Sequence, residues 1–146
     1  MRLGILLLIG LVSVGLASRA DAHCQIPCGI YGDDARFTAL LEDVTTLKKA
    51  VRKIEQESAA DSINHNQLVR WVKNKETHAD KISHVMLEYF LAQRIKSDQP
   101  DYEARLVAIH KIIVLAMKTK QNVDAGIVDD LEMAITGFQA LYQREG

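Results

Sequence analysis

The chain has two cysteines, Cys24 and Cys28, four residues apart in the stretch HCQIPCGIY, residues 23–31. His23 precedes the first, and Pro27, one of two prolines in the chain, precedes the second. Thiolate and imidazole are good donors to transition metals, and thiolates are also redox-active. Three chemistries compete for such a cluster: a small disulfide, a thiol redox pair and a metal site. The common redox spacing is C-x-x-C, whereas this one is C-x3-C. Zinc normally takes four side-chain ligands, and no second cysteine pair exists.

The metal reading depends on where the mature chain begins. Arg2 supplies a positive start, and residues 3–17, LGILLLIGLVSVGLA, form an apolar run of signal-peptide length. That run is short for a membrane span, which needs roughly 20 apolar residues. It is followed by Ala20-Asp21-Ala22, an A-x-A cleavage pattern. The alternative is an uncleaved membrane anchor. Cleavage after Ala22 by a signal peptidase makes residues 1–22 a removed leader and leaves a free α-amine on His23. The amine and the deprotonated Cys24 amide would close one five-membered chelate ring on a metal. The amide and the Cys24 sulfur would close a second. Cys28 can add another thiolate once Pro27 and Gly29 let the chain curl, and the His23 imidazole can reach an axial position. Two nitrogens and two sulfurs in a plane favour Ni(II) or Cu(II) over Zn(II). Export also places the thiols in an oxidising compartment, so the expected location is periplasmic or secreted.

The rest of the chain must position this hook. Hydrophobic residues make up 48% and charged residues 25%, an ordinary globular balance. The net charge of −1 becomes −2 when a leader carrying Arg2, Arg19 and Asp21 is lost, which suggests no nucleic-acid surface. Asp33-Asp34 can cap a helix over about 34–58, where Phe37, Leu40, Leu41, Val44, Leu47, Val51 and Ile54 share one face. A second helix is expected over about 62–96, marked by Leu68, Val72, Ala79, Ile82, Met86, Tyr89 and Phe90. Ser97–Pro100 ends it. A third is expected over about 100–119, with Lys118 and Lys120 near its negative end, and a fourth over about 124–143. No alternating strand pattern of useful length is present. The expected fold class is therefore all-α: an antiparallel four-helix bundle over residues 32–146, preceded by the hook at 23–31.

With those residues in view, HCQIPCGIY resembles the nickel-binding hook of the nickel superoxide dismutase family, whose motif is H-C-x-x-P-C-x-x-Y at the mature N-terminus. Every fixed position is present. DDARF and the later EYF also resemble that family. The resemblance implies disproportionation of superoxide to oxygen and hydrogen peroxide by Ni(III)/Ni(II) cycling. It implies nickel held by the His23 amine, the Cys24 amide and the Cys24 and Cys28 thiolates, with the His23 imidazole axial. It implies a loop shaped by Pro27, a catalytic Tyr31 near the open axial face, and a homohexamer of four-helix bundles. The chain departs from the family at two points: its leader looks secretory, whereas leaders in the family need not export, and its first helix differs. In the family a carboxylate early in the first helix, backed by an arginine, holds the axial imidazole. The simple register places Thr38 there, the nearest glutamate is Glu42, and no arginine is matched.

Other residues carry weaker expectations. Asp80 and His84 are spaced to share a helix face as a solvated pair. Tyr89 reads as core or as a neighbour of the hook. Trp71 reads as a subunit contact or a buried bundle edge. Two rival functions stand beside the dismutase: a non-catalytic copper- or nickel-binding bundle using the same hook, and a disulfide-stapled interaction protein. Neither nucleic acid nor, after processing, a membrane is an expected partner.

Overall fold

The computed structural model describes residues 32–145. The leader at 1–22 and the hook at 23–31 lie outside the described residues. Helix α1 spans Asp33–Ser58 and α2 spans His65–His84. Helix α2 continues without a break into a π-wound segment, Val85–Arg94. Helix α3 spans Tyr102–Gln121, α4 spans Ala125–Tyr142, and a short 3-10 turn covers Gln143–Glu145. No strand occurs among the described residues. No described helix is long and apolar enough to cross a membrane.

Each helix packs on two others, α1 on α2 and α4, and α3 on α2 and α4, which closes an antiparallel four-helix bundle. The apolar stripes face inward as their spacing requires. Phe37, Leu40, Val44, Leu47 and Val51 of α1 meet Ile82, Met86 and Phe90 of the second helix. Ile109 and Ile112 of α3 and Leu131, Ile135 and Phe138 of α4 complete the core. Each large buried side chain contributes roughly 1.5–3 kcal/mol. Asn64 caps α2 by accepting from the Gln67 amide at 3.2 Å, and Asp124 caps α4 by accepting from the Gly126 amide at 2.8 Å.

The first ten residues of α2 depart from the expected stripe. Val72 is 38% exposed and Leu68 is only half-buried. The cause lies at the end of α3. Lys75 is buried, and its ammonium donates to the carbonyls of Thr119 (2.6 Å) and Lys120. Lys75 therefore stands level with the C-terminal turn of α3 and caps it. Beyond that point α2 has no third helix to cover it. The start of α2 and the end of α1 project past the shorter α3–α4 pair by about ten residues, roughly 15 Å at the helical rise. Trp71 sits half-buried on this projection, with the Lys49 ammonium 5.8 Å from its ring centre.

Candidate functional site

The pole of the bundle that continues into HCQIPCGIY is built around one carboxylate. Asp33 is the first residue of α1, two positions after Tyr31 and five after Cys28. Its neighbour Gly32 has φ 75° and ψ 157°. That region is open essentially to glycine alone. The direction in which the chain enters the bundle is thus set by a residue without a side chain.

Asp33 does not cap its own helix; Gly32 occupies the cap position and no side chain bonds there. The carboxylate instead gathers donors from the ends of two other helices. Oδ1 accepts from the Tyr89 hydroxyl and from Arg94 Nε at 3.0 Å. Oδ2 accepts from the Tyr142 hydroxyl at 2.7 Å. Arg94 also donates through a terminal nitrogen to the Tyr89 hydroxyl at 2.9 Å. Asp34 accepts from Gln143 Nε2 at 2.8 Å. Both aspartates lie in the first turn of α1, where the helix dipole favours negative charge.

Helix winding explains why Tyr89 and Arg94 can act together. In an α-helix, residues five apart point about 140° away from each other. The Val85–Arg94 segment is wound with i→i+5 bonding, and the Ile95 amide donates to the Phe90 carbonyl at 3.0 Å to close it. That winding stacks position 94 over position 89. The Arg94 guanidinium accordingly lies 5.1 Å from the Tyr89 ring centre, as does that of Arg36. Beneath this polar layer, Phe37, Phe90, Phe138 and Tyr142 make a four-ring cluster with centroids 4.9–5.8 Å apart. The buried Arg105 side chain stacks 5.3 Å from the Tyr142 ring centre.

The network sets the ionisation of its members. Burial pushes the Asp33 pKa up, but hydrogen bonds from Tyr142 and Tyr89 and the Arg94 charge outweigh it, and the net shift is downward. Burial and then the Asp33 carboxylate raise the Tyr142 and Tyr89 hydroxyls above the usual phenol value, with Arg94 opposing. Asp33 is therefore held as the anion and both phenols as donors across the neutral range.

The sequence-derived site residues His23, Cys24, Cys28 and Tyr31 lie outside the described residues, as do Pro27 and any Cys24–Cys28 bond. The expectations that fall on the bundle have clear outcomes. Thr38 donates to the Asp34 carbonyl at 3.0 Å, so it is turned back on its own helix, and Glu42 is exposed. The carboxylate–arginine pair at this pole is Asp33 with Arg94. Tyr89 is core, as one reading of it expected, and its hydroxyl reaches Asp33; the other reading, a neighbour of the hook, concerns residues outside the described ones. Asp80 pairs with Lys120 at 2.7 Å in place of His84. His78 pairs with Asp43 at 2.5 Å, and His65, His84 and His110 are exposed. Sequence reasoning did not single out Arg94 or Tyr142. The signal for Arg94 was its spacing of five from Tyr89, which only π winding makes meaningful.

No group of three histidine, cysteine or acidic side chains among the described residues could hold a metal ion. The bundle thus offers no rival to the donors of residues 23–28. The family model for nickel-containing superoxide dismutase matches residues 18–145, nearly the whole chain and the hook with it. The chain belongs to the nickel-containing superoxide dismutase family. No curated protein and no solved structure matches it. As a member of that family the chain is an oxidoreductase, its cofactor is nickel and its substrate is superoxide. This decides for the dismutase over a non-catalytic metal-binding bundle. The residue types within 23–28 suit that metal, since thiolate sulfur and nitrogen are donors that nickel accepts.

Proposed function

We propose that the mature protein begins at His23 and would hold nickel through the His23 amine, the Cys24 amide and the Cys24 and Cys28 thiolates, with the His23 imidazole as a further donor. The match of every fixed position in HCQIPCGIY to the family motif carries this reading. Nickel bound there supplies one-electron exchange between Ni(III) and Ni(II), so that two superoxide ions and two protons yield one oxygen and one hydrogen peroxide. The protein does the rest. The anionic amide and thiolates push electron density toward the metal and lower its potential into a range where superoxide can both reduce and oxidise it. Pro27 shapes the turn between the two thiolates. The Tyr31 hydroxyl orders the incoming anion or its water. Burial of the hook between subunits would protect the thiolates from the peroxide they help to make.

The wider biology belongs to the same proposal. A signal peptidase removes residues 1–22, and the enzyme works in the periplasm or outside the cell. The mature chains assemble as a homohexamer. The exposed apolar residues Val69 and Val72 on the projecting start of the second helix, with Ile63 in the loop before it, support self-association.

The test is superoxide consumption by nickel-loaded protein starting at His23. Cys24→Ser and Cys28→Ser should each abolish nickel-dependent activity while leaving the helical circular dichroism intact. Full activity in either variant would remove the proposed ligand set.

A further inference from the structure

We infer that Asp33, clamped by Arg94, Tyr89 and Tyr142, is a positioning residue for the nickel site, and that the π-wound end of the second helix exists to deliver two of those clamps. The inference rests on the ligand set proposed above. Four observations converge on it. Asp33 is five residues from Cys28, so the backbone limits the separation of their Cα atoms to about 18 Å. The residue between clamp and hook, Gly32, is held at a backbone geometry that allows one exit direction and few alternatives. The clamp joins the start of α1 to the ends of the π segment and of α4, all at this pole. An interruption of α-helical bonding here, at Val85–Arg94, coincides with the two residues that meet the carboxylate.

The physical role is preorganisation. A short metal-binding segment at a chain terminus must lose conformational freedom when its donors converge. Fixing one end of the segment in advance lowers that cost and selects which arrangements of the donors are reachable. Three hydrogen bonds to one carboxylate from three different side chains, with Arg94 also donating to the Tyr89 hydroxyl, give a stiffer anchor than one ion pair at a bundle edge would. The clamp makes no claim on any nickel ligand directly. Its effect is transmitted through residues 29–32.

The experiment uses mature full-length protein and nickel itself as the probe. Affinity is read by competition with a chelator, and the thiolate-to-nickel absorption bands are recorded alongside. Asp33→Asn and Arg94→Gln should each weaken nickel binding by roughly tenfold or more, the scale seen when groups supporting metal ligands are lost, and should shift those bands. Tyr142→Phe removes a single oxygen and keeps the ring in its aromatic cluster, so it remains informative should Asp33→Asn fail to fold; it should move affinity in the same direction by a smaller factor. Lys75→Met, which breaks a cap at the opposite pole, should leave affinity and bands unchanged. Unaltered nickel affinity and unaltered bands in Arg94→Gln and Tyr142→Phe would show the clamp to be a structural fastener only and overturn the inference. Failure of the unsubstituted protein to bind nickel would instead overturn the proposed ligand set on which the inference stands.

Discussion

Arg94 and Asp33 are 61 positions apart in the chain and 3.0 Å apart in the fold. The contact ties the end of the second helix to the first residue of α1, and so to the segment that carries both cysteines. Its surroundings make it more than a surface ion pair, which by itself would contribute about 0–1 kcal/mol. Two phenols donate to the same carboxylate, and four aromatic rings lie beneath.

Acid should weaken this pole in a defined way. The folded pKa of Asp33 lies below its ordinary value of 3.8. A group with a depressed pKa lends stability above its unfolded value and loses it as pH falls through the folded one. The stability gap between the wild type and Asp33→Asn should therefore be about 1–3 kcal/mol at pH 6. It should shrink progressively below about pH 4. Urea midpoints at a series of pH values measure this directly, and a gap independent of pH would refute it. Tyr142 and Tyr89 carry the opposite sign. Their raised values lend stability that is complete below about pH 10 and declines above it.

Gly32 should resist substitution although a Cβ there would meet no atom within 4 Å. The constraint is its positive φ, not space. Gly32→Ala should cost about 1–3 kcal/mol. Alternatively the root of α1 will reorganise, in which case the tyrosine hydroxyls lose their acceptor. A thermal melt together with near-ultraviolet circular dichroism separates the two outcomes, and a variant as stable as wild type with an unchanged aromatic spectrum would contradict the prediction.

Lys75 shows where the helical periodicity was readable and where it was not. The four helices, their order and most of their inward faces follow from spacings of three and four in the sequence, as at Phe37, Leu40, Val44 and Leu47. Position 75 falls on the same face yet holds a lysine, and nothing local says that its ammonium will find the last carbonyls of a helix 44 residues later. Likewise Val72 looks like core until the shorter α3 leaves it uncovered. The Asp33 clamp was hidden for a third reason. Its partners come from distant segments, and one of them reaches it only because the second helix changes from α to π winding. The motif HCQIPCGIY was legible because its fixed positions are neighbours in sequence.

The Lys75 cap makes its own prediction. Lys75→Met keeps the apolar stem in the core and removes the charged donor from two carbonyls. Stability should fall by about 1.5–3 kcal/mol, the range for hydrogen bonds involving a charged group. Fraying should be confined to the end of α3, seen as faster amide exchange at the carboxyl-terminal turn. A substitution without effect on either quantity would mean that water satisfies those carbonyls equally well.

The most direct test of the central claim is N-terminal sequencing of native, active protein together with its nickel content. The account predicts a chain that starts at His23 and carries stoichiometric nickel. Active nickel-bearing protein that retains residues upstream of His23 would deprive the site of its amine donor and contradict the account.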